Sequence, residues 1–488
     1  MLNKKKYLVY ILFGGLLVRV FSAAFTDPGF DEAYYGVYSK FLSAGYFDHP
    51  PLVSLSAGIG LWLFNSFSSL ALRFGAITLY LGSSLLLFSI AKMLYGRKSA
   101  IYSVILFHIT PFFLVGIGAF VIPDNFLTLF WFFAIFTMVK YLKTRSNYWL
   151  LLWGTAIGFG FLAKYHIVLL IAGFGWSMLF HSNFRKLWRN PWLYGGFLLG
   201  LLIMMPNILW NYHNDWISYI YQFGKSSGGS SLSFTKFYQG ILSQIGYLLP
   251  WNFAILVLGF RGINKQKWLL PIILFPIIIF TLFGFKQRIL PHWPMPGYLT
   301  LLIPAGYYLS KQKWAAKYSL VSGGVTFLVL CFVVLQSQFG IVKMKPKHDF
   351  SLDGFGWKEM ISRVEERDYF QEIDFLAGHK WFTAGEIMFA GKGKYPTIAL
   401  HPKDPRGFAF WYDMKDFKGQ NCLFISTNRY HKDPTKKYSE FFQTITPIDT
   451  IKIYRGEVVG KIFYLWKCET FNGDLIYPYG INHEKSNQ

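Results

Sequence analysis

The stretch YLVYILFGGLLVRVFSAAF, residues 7–25, decides the class of this protein. It carries one charge, Arg19, and its length is close to the ~20 apolar residues that a helix needs to cross a bilayer. Lys4, Lys5 and Lys6 precede it, but no clear small-residue cleavage site follows. Further runs of the same kind come later, such as WLLPIILFPIIIFTLFGF at 268–285, so residues 7–25 read as a retained first helix and not a removed signal peptide. Of the 488 residues, 53% are hydrophobic and only 15% charged, against about 25% charged in ordinary soluble domains. The expected fold class is a polytopic α-helical membrane protein.

The apolar runs predict eleven transmembrane helices, near 7–25, 70–91, 101–119, 124–139, 148–163, 165–181, 192–209, 243–260, 268–284, 295–310 and 318–337. A net charge of +23 raises the question of a nucleic-acid partner, and the placement of the charges answers it. Alternate connections hold Lys4, Lys5, Lys6; Lys92, Arg97, Lys98; Lys140, Lys143, Arg145; Arg185, Lys186, Arg189; Arg261, Lys265, Lys267; and Lys311, Lys313, Lys317, with no acid among them. The positive-inside rule makes these connections cytoplasmic, so the basic excess is a topology signal and no nucleic acid is implied. The N-terminus is then inside, and the tail beyond about 340 is outside.

Only six acids precede Gly340: Asp27, Asp31, Glu32, Asp48, Asp124 and Asp215. Four lie within 22 residues, in and around DEAYYGVYSKFLSAGYFDHPP at 31–51, and all six fall on or near the outer side. Two outer connections, 26–69 and 210–242, are longer than a helix hairpin needs and read as interfacial, aromatic-rich loops, the second with a mobile SSGGSS. Residues 341–488 change character, with balanced charge and no spanning run. GWKEMISRVEER and FTAGEIMFAG read as helices. PTIAL, NCLFIS, IDTIKIYRG and VVGKIFYLWKCET read as strands, the last two as a hairpin around Gly456–Gly460. The expectation is a membrane domain over 1–340 and an extracytoplasmic α/β domain over 341–488, in which a Cys422–Cys468 disulfide stays open.

Each candidate site residue carries a plainer alternative. Asp31 and Glu32 read as a base held at the membrane surface, or as the acidic first turn of an interfacial helix. Asp124, after Pro123 at the mouth of a helix, reads as a site acid or a partner of the helix dipole. Lys164 in FLAKYH either meets an anionic group or snorkels to the interface. Lys286, Arg288 and His292 in KQRILPHWPMP suit a phosphate, or lipid headgroups. Asp215 and His213 divide evenly between structure and site. No histidine has a trusted metal-ligand spacing; no cofactor is required, and a divalent metal is left open.

Taken in order, the Asp-Glu of the first outer loop, GYFDHPP, the Pro-Asp at the fourth helix, FLAKYH, PN-x-x-W-N-x-x-x-D-W at 206–216 and PHWPMP resemble the membrane glycosyltransferases of the GT-C superfamily. The nearest branch is the bacterial protein-O-mannosyltransferase-like and aminoarabinose-lipid A transferase group. The resemblance spans about 5–340, more loosely the tail. It implies a polyprenyl-phosphate-linked sugar donor in the bilayer, a glycan, lipid or protein acceptor, and inverting transfer on the outer face of a bacterial inner membrane. It also implies catalytic roles for Asp31, Glu32 and Asp124, and donor-binding roles for Asp48, His49, Lys164, Tyr165, Lys286, Arg288 and His292. Some relatives have lysine where this chain has His49. The rival readings are a protein O-mannosyltransferase, a lipid-linked sugar flippase and a non-catalytic scaffold. Clustering of the acids at one surface favours an enzyme over the last two, because transporters place ionisable groups near the midplane.

Overall fold

The computed structural model describes residues 4–224, 232–346 and 348–481; the expected SSGGSS loop and Lys225 lie outside them. In chain order the helices are α1 (Lys4–Ala24), α2 (Phe30–Tyr38), α3 (Leu52–Leu63), α4 (Ser69–Tyr95), α5 (Arg97–Ile109), α6 (Asp124–Thr144), α7 (Tyr148–Ala163), α8 (Ile167–Phe180) and the single turn α9 (Ser182–Arg185). They continue with α10 (Pro191–His213), α11 (Ile217–Gly224), α12 (Phe234–Leu248), α13 (Pro250–Leu258), α14 (Leu269–Phe283), α15 (Met295–Ser310), α16 (Ala315–Phe339), α17 (Trp357–Glu366), α18 (Trp381–Ala390) and α19 (Pro434–Lys437). Helix occupies all eleven segments expected to be apolar spans. Among the described residues, five helices are long and apolar enough by themselves to cross a membrane: α1, α4, α6, α10 and α16. Phe234–Leu248 and Pro250–Lys265 would add a sixth if taken as one span bent by 95°. The bend has a local cause, since Leu249 sits at φ 67 and Pro250 opens the next helix.

The chain forms two compact units. The first comprises Met1–Ser22, His49–Ser56 and Phe74–Leu330. Lipid offers no hydrophobic drive between helices, so packing depends on close approach, which small residues permit. GTAIG on α7 and GFLLG on α10 supply it: a Cβ on Gly154 would lie 1.9 Å from the Gly196 carbonyl oxygen, and one on Gly196 would lie 2.4 Å from that of Leu150. Helix α5 ends at Ile109, and a π-helical turn follows at Phe112–Ile117. The freed Ile109 carbonyl accepts from Asn252 Nδ2 at 3.0 Å and Thr326 Oγ1 at 2.6 Å, as a dry interior requires.

The second unit comprises Ala23–Asp48, Ala57–Arg73 and Cys331–Gln488, so it does not follow the expected boundary at 340. Its sheet has the order β2-β1-β3-β5-β4, with β1 (Phe375–Gly378), β2 (Thr397–Ala399), β3 (Cys422–Thr427), β4 (Phe442–Arg455) and β5 (Val458–Phe471). Strands β1, β2 and β3 run parallel, and β4–β5 is the expected hairpin, turning at Gly456. Cys422 and Cys468 face each other in the β3–β5 register as buried free thiols. Helix α2, read from the sequence as interfacial, has seven of its nine residues buried. Its Tyr34 backbone lies against Gly385 of α18, and Gly407 N donates to the Tyr34 hydroxyl at 2.7 Å. Trp62, Leu63 and Phe64, at and beyond the end of α3, are exposed, as are Tyr212, Trp216 and Phe234 of the second loop.

The α7–α10 contact gives a direct test. Gly154→Val or Gly196→Leu should lower the thermal midpoint of the detergent-solubilised protein, because overpacking costs about 1–3 kcal/mol. Gly195→Ala, whose added carbon would meet only Leu151 at 3.5 Å, should leave the midpoint unchanged.

Candidate functional site

Of the four clustered acids, Glu32 is the most completely engaged. It lies in the first turn of α2, buried, where Arg73 of α4 grips both carboxylate oxygens: Nε donates to Oε1 at 2.8 Å and Nη2 to Oε2 at 2.5 Å. Gly29 N also points to Oε2 at 3.4 Å, closing the first turn. Such a bidentate pair is geometrically specific, and it turns Glu32 away from chemistry and toward structure. Arg73 belongs to none of the motifs singled out from the sequence. The available signal was a lone arginine in SLALRFGAI, four positions after the start of an apolar helix that follows the acidic loop.

Asp48 is similarly held. It is 1% exposed, accepts from the Tyr38 hydroxyl, and pairs with Arg406 Nη1 at 2.9 Å. Arg406 in turn stacks over the Trp381 ring at 3.7 Å. No local pattern pointed to Arg406, which is 358 residues away. Asp31 differs from both: it stands exposed at the start of α2, whose other face is buried.

In the first unit, Asp124 opens α6 and is 3% exposed; Lys164, 5% exposed, sits where α7 ends in an extended residue. Their charged groups are 2.7 Å apart. Asp124 thus lies in the first turn of α6, where an acid complements the helix dipole, and also neutralises a buried lysine. His292 belongs to the same neighbourhood. Burial pushes its imidazole down to about 3, Lys164 and His49 add to the shift, and Asp124 opposes it. Burial thus favours the neutral imidazole of His292 over the cation expected from the sequence. Tyr165 is buried, with its hydroxyl 3.0 Å from Ser218 Oγ and 3.3 Å from Asn207 Oδ1, so the second long loop helps to fix FLAKYH. His49 is half-buried. Lys286 and Arg288 are exposed in the connection before α15, and Asp215 is exposed in a turn at φ 52. Among the described residues, no group of three His, Cys, Asp or Glu side chains comes together as a metal site.

The structure thus brings together Asp124, Lys164, His49 and His292 in one unit, and Asp31, Glu32 and Asp48 with Arg73 and Arg406 in the other. The chain passes from one unit to the other between Asp48 and His49.

Residues 48–210 match the family model described as dolichyl-phosphate-mannose-protein mannosyltransferase. An undecaprenyl phosphate-α-4-amino-4-deoxy-L-arabinose arabinosyl transferase of Edwardsiella ictaluri is 27% identical over 313 residues, covering 59% of this chain and 54% of that one. A lipid A galacturonosyltransferase of Rhizobium johnstonii is 21% identical over 338 residues, covering 65% and 69%. The chain spans about half the length of the arabinosyl transferases it matches. The crystal structure of ArnT from Cupriavidus metallidurans bound to undecaprenyl phosphate superposes with a TM-score of 0.65 at 15% identity, covering 95% of this chain and 98% of that one. This chain has the ArnT-like GT-C fold with a C-terminal sheet domain, and resembles the membrane glycosyltransferases of that superfamily.

Proposed function

We propose that the chain is a glycosyltransferase that moves a sugar, with inversion, from a polyprenyl-phosphate-linked donor to an envelope acceptor at the outer face of a bacterial inner membrane. The observation that carries this reading is the sorting of the acids. Glu32, Asp48 and Asp124 are each buried in an ion pair; Asp27 and Asp31 are exposed, and of these two only Asp31 is held in a helix, in the first turn of α2. Asp31 is the general base: it takes the proton from the acceptor hydroxyl as that oxygen attacks the anomeric carbon. The bond from that carbon to the phosphate oxygen breaks on the opposite side, and its electron pair leaves with the phosphate. A departing phosphate needs cations; in the first unit Lys286 and Arg288 are our candidates for that role, and Lys164 carries a charge that Asp124 partly offsets. The name of the arabinosyl transferase supports an undecaprenyl-phosphate-linked donor, and that of the lipid A galacturonosyltransferase supports a lipid acceptor over the protein acceptor named by the family model.

Asp31→Asn retains shape but cannot take a proton. Turnover of a polyprenyl-phosphate-linked sugar should drop by about 10²–10⁴-fold, with donor binding and expression little changed. Near-normal turnover would move the base elsewhere.

Glu32→Gln should behave differently. Breaking one side of a buried pair costs about 3–5 kcal/mol, so this variant should lose yield and thermal stability before it loses turnover per folded molecule. The same logic applies to Asp124→Asn and Lys164→Gln. Each single change should destabilise, and the double variant should recover part of the loss in a double-mutant cycle; strict additivity would show that the pair is not coupled.

Orientation belongs to the same proposal. A phosphatase reporter fused after Gly340 should be active, since the basic connections place the N-terminus inside. An inactive fusion, with a cytoplasm-only reporter active at the same point, would invert the assignment.

A further inference from the structure

The sheet of the second unit has a feature that the transfer chemistry does not use. Its parallel strands take the order β2-β1-β3, so the chain leaves β1 in one direction to form β2 and returns on the other side to form β3. The connections therefore diverge at the carboxyl ends of β1 and β3. In open α/β sheets this is where a crevice forms and ligands bind.

The residues that reach this edge are cationic or imidazole-bearing. His379 and Lys380 directly follow β1, His401 follows β2, and Lys432 follows β3. Lys437 ends the short helix α19. The ladder continues past the strands, because His401 N donates to the His379 carbonyl at 2.9 Å, and it sets the two rings 4.9 Å apart. His379 is fixed by its Nδ1 contact with the Tyr438 hydroxyl. Gly378 allows a tight passage from β1 into α18, since a Cβ there would lie 2.7 Å from Ala384 N.

The positive groups crowd one another. Burial first, then Lys437, His401, Lys432 and Lys380, push His379 down to about 3. Lys437 is lowered by burial and then by Lys432 and Lys380. Asp404 faces the cluster, with Lys380 Nζ at 3.3 Å from Oδ2, but it is shared with Arg406, whose Nε is 3.8 Å from Oδ1. Asp433 is turned to Thr435 as a helix cap. Lys380, from the connection after β1, and Lys432 and Lys437, from the connection after β3, thus act on the same edge, where Asp404 is shared between Lys380 and Arg406.

We propose that this edge is a binding site for a phosphate group carried by the acceptor, with Lys380, Lys432 and Lys437 as its charged contacts and His379 and His401 as its neutral donors. A phosphate monoester presents three acceptor oxygens and nearly two negative charges, which matches this donor set better than a single carboxylate does. Asp404 and Arg406 connect the site to Asp48 through successive ion pairs, so the anchored group lies on the same scaffold as the first outer loop. The assignment of the phosphate to the acceptor rests on the function proposed above; the phosphate site itself does not.

The test uses the full chain in an uncharged detergent, with inorganic phosphate and pyrophosphate as probes and calorimetric titration as the readout. Saturable binding is expected. Lys432→Ala/Lys437→Ala, both exposed, should weaken it by about ten- to a hundredfold, the worth of a lost charge-assisted contact. Lys452→Ala on β4, the far edge strand, should leave it unchanged. A second arm measures transfer to a phosphorylated glycolipid and to the same glycolipid after phosphatase treatment. The double variant should raise KM for the first acceptor and not for the second. No binding of either probe, or equal binding by the wild type and the double variant, overturns the site. Binding that depends on the lysines, with KM equal for the two acceptors, keeps a free-phosphate site and overturns its assignment to the acceptor. Binding without any transfer overturns only the function.

Discussion

Arg73 is the point on which the acidic loop before α4 depends. Its guanidinium takes both oxygens of Glu32 and also reaches the carbonyls of Ala23 at 3.0 Å, Thr26 at 2.7 Å and Asp27 at 3.2 Å, with the Thr26 hydroxyl at 2.8 Å. These carbonyls lie where α1 ends and the chain turns toward α2, at positions with no helical N–H to accept from. One side chain therefore satisfies the end of one helix and the acid of the next. The rigid planar fork of arginine makes this possible, and a lysine could not replace it. The position of Asp31 follows, because Asp31 and Glu32 share the first turn of α2.

A buried ion pair is not in itself strong evidence for stability, since desolvation offsets most of the attraction. What the buried pairs of Glu32, Asp48 and Asp124 supply is register. Glu32–Arg73 sets the turn between α1 and α2, Asp48–Arg406 ties the loop after α2 to the segment after β2, and Asp124–Lys164 joins the start of α6 to the end of α7. In each case the acid comes from one of the quoted motifs and the base from a distant element. A charge placed among apolar helices is tolerated when its partner is fixed, and the crowding of acids in one loop then has two sources. Glu32 and Asp48 organise the backbone, while Asp27 and Asp31 stand exposed.

This explains which parts were legible in the sequence. The apolar runs predicted all eleven helical segments because hydropathy over ~20 residues is a local property. The β4–β5 hairpin and helices α17 and α18 were readable for the same reason. Strand β1, four residues reading FLAG, was missed: it is fully buried, too short to show alternation, and is defined by its neighbours β2 and β3. Among the site residues, Asp124 and Lys164 were singled out but not as partners of each other, and the pairing of Glu32 with Arg73 was not foreseen. Arg73 and Arg406 were invisible as partners because ion pairs across 41 and 358 residues leave no periodic trace. His292 was read as a cation because a sequence carries no measure of burial.

The α2 segment shows why the tail cannot be regarded as an appendage. AYYGVY places Tyr34, Tyr35 and Tyr38 on a nine-residue helix, too short to be stable alone in water. Tyr34 is enclosed by Trp381, Phe408 and Trp411, with ring centroids at 4.9, 6.2 and 5.9 Å, and Phe41 stacks on Trp411 at 4.7 Å. Those aromatic partners all lie beyond residue 380. Each such pair is worth about 0.5–1.5 kcal/mol beyond the area it buries, so the helix that presents Asp31 derives its order from the C-terminal sheet domain. The aromatic excess in the first loop, which from sequence alone suggests a membrane interface, is the half of a protein core whose other half lies more than three hundred residues downstream.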